Sequence, residues 1–190
     1  MMADGLMPGD PFIFMKVGVH AKESLVDIIK RKRDEIAKAG VSFWGYGGGT
    51  CHPLTAVQPF VKEYTEHGLN VRLLMQEINS RHFADPVRAE EYSVDGIHWE
   101  KVHKDINVVG SRYALVIADL DEVEIPVALD AAAVGIGRMR GAQGDKYIRG
   151  HVDKACLVYT PETHEDGVQP VIMKLAARLA SPYAVLLKQR

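Results

Sequence analysis

The sequence predicts a single α+β (mixed α/β) domain. Three observations predict it: two strand-to-helix transitions open the chain, a succession of strand-like segments follows, and glycine-rich turns separate the pieces. Two N-terminal strand-helix units followed by a β-rich, strongly curved sheet or partial barrel is the architecture this order implies. With 190 residues the chain is long enough for one sizeable core and short for two, so residues 1–10 are read as a flexible tail and 11–190 as one domain.

The first strand is expected over Phe12-Ile13-Phe14-Met15-Lys16-Val17-Gly18, an apolar run of the kind buried on both faces. From Ser24 to Ala39 the period becomes helical, with Leu25, Ile28, Ile29 and Ile36 on one face, Ser24 and Asp27 as a capping box and Gly40 as the C-terminal stop. Within it, Lys30-Arg31-Lys32-Arg33 reads as a solvated face, with Asp27–Arg31 and Asp34–Lys38 pairing one turn apart. A short strand at Val41 to Tyr46 leads to a second helix with Val57, Phe60, Val61 and Tyr64 on one stripe, stopping near Gly68. Pro59 argues that this helix starts at Thr55, capped by Thr55 with Gln58, because a start at Pro53 puts Pro59 in the second turn.

Downstream, strands are expected at Val71 to Ile78, at Ile97 to Val102 after an Asp95-Gly96 turn, and at Tyr113 to Ala118. Val123 to Leu129, Ala155 to Tyr159 and Tyr183 to Leu187 are further strands. Val171 to Leu179 fits either an amphipathic helix or a strand, and Pro182 is expected to end it.

Composition excludes some classes. A formal net charge of −2 with 25% charged residues argues against a surface that traps nucleic acid throughout, although a local basic patch still suits phosphate. Two cysteines without CxxC spacing predict neither a disulfide framework nor a zinc knuckle, and a reducing, cytoplasmic setting. No window reaches the length of a membrane span, and the first ten residues lack the features of a signal peptide.

The segment Ser42-Phe43-Trp44-Gly45-Tyr46-Gly47-Gly48-Gly49-Thr50-Cys51-His52-Pro53 concentrates the chemistry. Glycines between a strand and a helix let backbone N–H groups approach an anion, which makes Gly47, Gly48, Gly49 and Thr50 a candidate phosphate cradle. Neither GxxxxGK[ST] nor GxGxxG is present, so a structural turn is the competing reading. Cys51 is a candidate nucleophile, with His52 or the more distant His20 as base and glycine N–H groups as oxyanion donors; its bland alternative is a small buried hydrophobe. Trp44 and Tyr46 are core residues by default and a stacking platform if exposed; they are expected to share a face only through a bulge at Gly45.

A second glycine-rich segment, Gly135 to Gly150, carries Arg138, Arg140 and Arg149 and is read as a mobile loop that either closes over phosphate or simply lies on the surface. Eight histidines show no metal-ligand spacing, so no metal site is expected, and nothing names a cofactor.

Three readings of function follow. The first is a binding domain for a phosphate-bearing small molecule or nucleic acid, held by the Gly47 to His52 loop, stacked on Trp44 or Tyr46 and covered by Arg138, Arg140 and Arg149. The second is a thiol-nucleophile enzyme using Cys51 with His20 or His52. The third is an interaction module, with an exposed apolar patch from Val171 to Leu187 buried in a homodimer and no membrane involvement.

Overall fold

In a computed structural model the described residues are 5–47, 53–82, 86–149 and 154–188, with 80–82 described by their backbone alone. They form one α+β domain around a mixed, unclosed sheet of ten strands. Strand β1, Pro11–His20, is central, as its apolar run predicts. It runs parallel to β3, Arg72–His82, and antiparallel to β9, Lys154–Tyr159. Alternation sends Ile13, Met15 and Val17 to one buried cluster and Phe12 and Phe14 to another on the opposite face. Before it, Gly9 N–H donates to the Tyr159 carbonyl and closes a turn onto β9.

Helix α1, Leu25–Ala39, has the predicted ends: Ser24 Oγ accepts from the Asp27 N–H, and Gly40 adopts φ +83° while its N–H donates to the Ile36 carbonyl. Its basic run differs from the expected solvated face. Lys32 and Glu35 are buried, 3.0 Å apart, and Arg31 pairs with Glu23 and Glu35. Ser42 Oγ–H and Asn107 N–H also donate to Glu35. Neither Asp27–Arg31 nor Asp34–Lys38 is an ion pair among the described residues. An apolar helix face meets the sheet here at Ser42, and the charges that accompany it are satisfied by one another.

Strand β2, Ser42–Tyr46, is followed by a π-helical turn, Pro53–Val57, and helix α2, Gln58–Glu66. The Thr55 cap is therefore incorrect. Helical structure starts at Pro53, and the wide turn places Pro59 second in α2, where the N–H it lacks would have no acceptor in the helix.

The remaining strands are β4, Glu91–Ser93; β5, Glu100–Lys101; β6, Tyr113–Ile117; β7, Asp121–Val127; β8, Ala132–Val134; and β10, Val171–Lys188. The main path runs β2-β6-β10-β3-β1-β9-β8, with β4 and β7 also on β10 and β5 on β4. The expected strand at Ile97 to Val102 is reduced to β5, because Asp95 ties Ile97 and His98 into the turn through their N–H groups. Val171 to Leu179 and Tyr183 to Leu187 are one strand, so Pro182 does not end it. The proline falls where β10 changes neighbours, in a gap of pairing with β6 between Leu179 and Ala184, so the N–H it lacks breaks no rung there. Leu175, Ala177, Leu179, Ala184 and Val185 are buried within the fold, and of the expected apolar patch only Ile172 is an exposed large side chain.

The Gly135 to Arg149 segment is built into the fold, unlike the loose loop expected. It holds a turn closed by Gly141 N–H to the Val134 carbonyl and a short helix α3, Gly144–Ile148. A Cβ on Gly144 would lie 2.8 Å from the Leu129 carbonyl, so only glycine fits. No helix among the described residues is long and apolar enough to cross a membrane.

Candidate functional site

The sheet curls until β2 and β9 face each other across the first cluster. Tyr46 lies at the end of β2, with its ring 5.4 Å from that of Tyr113. Lys154 Nζ sits 4.5 Å from the Tyr46 ring centroid, and Lys154 is 2% exposed. Alternation explains the burial: Lys154, Cys156 and Val158 share the face of β9 that lines the first cluster. The sequence reading passed over this lysine; the signal was available in the alternation of Lys154-Ala155-Cys156-Leu157, which sets an ammonium beside two core positions.

Trp44 and Tyr46 are 6% exposed each, so neither is a stacking platform in this structure. They share the interior face without a bulge, since β2 pairs with β6 in unbroken register from Ser42 to Tyr46. Phe43 points the other way, into a third cluster with Val108 and Val116. Gly45 is required for a different reason: a Cβ there would collide with Ser111 and come within 2.8 Å of Val108 Cγ2.

Gly47 follows as the last described residue of the segment; Gly48, Gly49, Thr50, Cys51 and His52 lie outside the described residues. Beyond them, Pro53 and Val57 are buried in the π turn. Gln58 Nε2–H donates to the carbonyls of Val94 and Ala184, fixing α2 against β10.

His20 ends β1. Its Nε2–H donates to the Val109 carbonyl at 3.0 Å, which the Ser111 hydroxyl also uses at 3.0 Å. Ser111, which shares this carbonyl with His20, also packs over Gly45 of β2.

The basic segment meets α2. Gly135 N–H donates to the Cys156 carbonyl, and a Cβ on Gly135 would stand 2.6 Å from Phe60 Cε2. At the tip of the turn Arg140 approaches Glu63 at 3.9 Å, while Arg138 is exposed and has no ion pair among the described residues. Burial and the Glu63 charge hold the Tyr64 hydroxyl above the usual phenol value, with Arg140 acting in the opposite sense. Lys154 is thus placed at the end of β2 and Arg140 against α2. Arg149 lies elsewhere: it pairs with Asp145 at 3.1 Å on α3, which packs through Ile148 on the opposite face.

A second polar cluster escaped the sequence reading because its members are far apart in the chain. The buried Asp130 carboxylate accepts the Glu165 N–H at 2.6 Å and the His164 Nδ1–H at 3.0 Å. Burial alone would raise Asp130; these donors outweigh it and hold the carboxyl below its usual value. No group of three metal-ligating side chains occurs among the described residues.

No family model matches this sequence, no curated protein matches it, and no solved structure matches the fold.

Proposed function

We propose that the chain binds a phosphate-bearing small molecule or the phosphate backbone of a short nucleic acid at the end of β2. The backbone of Gly47 to Thr50 receives the phosphate, and Arg138 and Arg140 close over it from the side. The observations that support this reading are a lysine over Tyr46 at the end of β2 and a basic segment held against α2 through Gly135 and Arg140. Stacking on Trp44 or Tyr46 drops out of the proposal, because both rings are buried.

Calorimetric titration of the full chain with inorganic pyrophosphate at two salt concentrations tests it. The expected result is an affinity that falls as salt rises and is lost in the double variant Arg138→Ala with Arg140→Ala. Salt-insensitive binding, or binding that the double variant retains, overturns it.

A thiol-nucleophile enzyme is the second reading. One observation favours it: His20, at the end of β1, is held in place by a hydrogen bond between Nε2 and the Val109 carbonyl, as a positioned base requires. Cys51 alkylation against pH separates the two, since an activated thiol reacts as thiolate well below the ordinary value of about 8.5.

A further inference from the structure

Strands β3 and β10 pair only from Arg72 to Met75 and from Leu175 to Arg178. Continued without change, the same register would set Gln76 opposite Lys174 and Ile78 opposite Ile172. The strands part instead. Irregularities flank the parting on both sides: β3 bulges against β1 between Val17 and Val19, and β10 shifts against β7 between Met173 and Leu175. A cavity of about 710 Å3 lies over this parting, beneath the start of α1 at Ser24, Leu25 and Val26; its floor is Gln76 to Asn79, with Gly18 and Val19 of β1 on one side and Ile172 and Lys174 of β10 on the other.

Two strand edges that face each other without pairing offer a row of backbone donors and acceptors to whatever enters between them. Among the described residues Gln76 and Glu77 pair only with β1 and Val171 to Met173 only with β7, while Ile78, Asn79 and Lys174 fall in the register shifts. The charges around the gap are unequal. Lys174 is neutralised by Glu124 at 2.7 Å, whereas Glu77 is exposed and makes no ion pair among the described residues. The opening therefore presents backbone hydrogen-bonding groups, apolar ground at Ile172, Leu25 and Val26, and the exposed Glu77 carboxylate, which has no ion pair among the described residues.

We propose that this opening receives an extended peptide segment of a partner protein, inserted as a strand between β3 and β10, with a lysine or arginine of the peptide facing Glu77. The main chain of the peptide completes both ladders, and the carboxylate selects a basic side chain. The inference is independent of the phosphate reading, which concerns other residues.

The test uses the full chain and a pool of capped peptides of about six residues, alternating β-branched positions around a central lysine, each with a backbone N-methylated twin. Binding is read by amide hydrogen exchange. The expected result is a peptide that slows exchange across residues 76–79 and 171–174, an N-methylated twin that does not, and a loss of about tenfold in affinity on Glu77→Lys, reversed for the glutamate version of the peptide. No binding from the pool at millimolar concentration overturns the proposal, as does binding indifferent to N-methylation. Slow exchange in the free protein that disappears on dilution also overturns it, because the gap would then be filled by a second copy.

Discussion

Lys154 Nζ stands 4.5 Å from the centre of the Tyr46 ring, although β9 and β2 are five places apart in the strand order. Only a strongly coiled sheet brings them together, and what they enclose is the first apolar cluster. The ammonium is thus held at the junction between the two ends of the curl. Replacing Tyr46 by Leu and Lys154 by Met, singly and together, is expected to reveal a coupling of about 2 kcal/mol, the scale of a desolvated cation over a ring. Denaturant unfolding measures it, and additive losses would mean that the contact contributes nothing. Lys154→Met is also expected to weaken pyrophosphate binding while unfolding stays cooperative.

The buried pair beneath α1 gives stability a particular pH profile. Burial pushes the Lys32 ammonium down to about 8 from 10.5, with Glu35 pulling it back up. Folded chains release that proton more readily than unfolded ones, so stability from this group is lowest below about pH 8 and rises up to about 10.5. For Glu35, burial opposes ionisation but is outweighed by Lys32, the Ser42 hydroxyl and the Asn107 N–H, so its carboxyl lies below the ordinary 4.5. Its contribution is present above that value and is lost as the pH falls below it. Urea unfolding across this range should show both slopes; Lys32→Met should remove the alkaline rise, and Glu35→Gln should cost about 3–5 kcal/mol by leaving Lys32 without its counter-charge.

Gly135→Ala probes the attachment of the basic turn to α2. The added methyl meets Phe60 Cε2 at 2.6 Å and Val158 Cγ2 at 3.1 Å, so the turn must move outward. A loss of about 1–3 kcal/mol in stability is expected, together with weaker pyrophosphate binding because Arg138 and Arg140 move with the turn. Unchanged affinity in a folded variant would detach the turn from the site.

Thiol chemistry separates the two cysteines. Cys156 is 3% exposed in β9 and is expected to resist iodoacetamide in the native protein, so modification should map to Cys51 by peptide mass spectrometry. Saturating pyrophosphate is expected to slow Cys51 modification several-fold if the glycine segment holds the phosphate. An unchanged rate places the anion elsewhere.

Much of the fold was legible because local chemistry and tertiary packing agree. Ser24 and Gly40 bound α1 as a cap and a left-handed stop must, and the apolar run Phe12 to Val17 could be satisfied only by a strand covered on both faces. Pro182 misled for the opposite reason. A proline is excluded from a ladder by its missing N–H, but no local pattern tells that β10 exchanges neighbours at that point. Pro59 misled similarly, since the π turn that accommodates it is a response of backbone geometry rather than a residue pattern. The Gly135 to Arg149 segment was read from composition as loose, whereas its glycines at 135 and 144 are there for close packing against Phe60 and the Leu129 carbonyl. Of the candidate site, burial removed Trp44 and Tyr46 as stacking surfaces, Arg149 is paired with Asp145 on α3, and Lys154 was passed over as an ordinary strand residue.

Every junction between the halves of the sheet passes through β10, which pairs with β3 and β7 in its first part and with β4 and β6 in its second. It is also the last of the ten strands to be synthesised. Until it docks, β2 with β6 and β1 with β3 are separate fragments, each presenting an open edge to other chains. Cooperativity between the two parts of the sheet is therefore expected to depend on β10, the strand on which both parts lean.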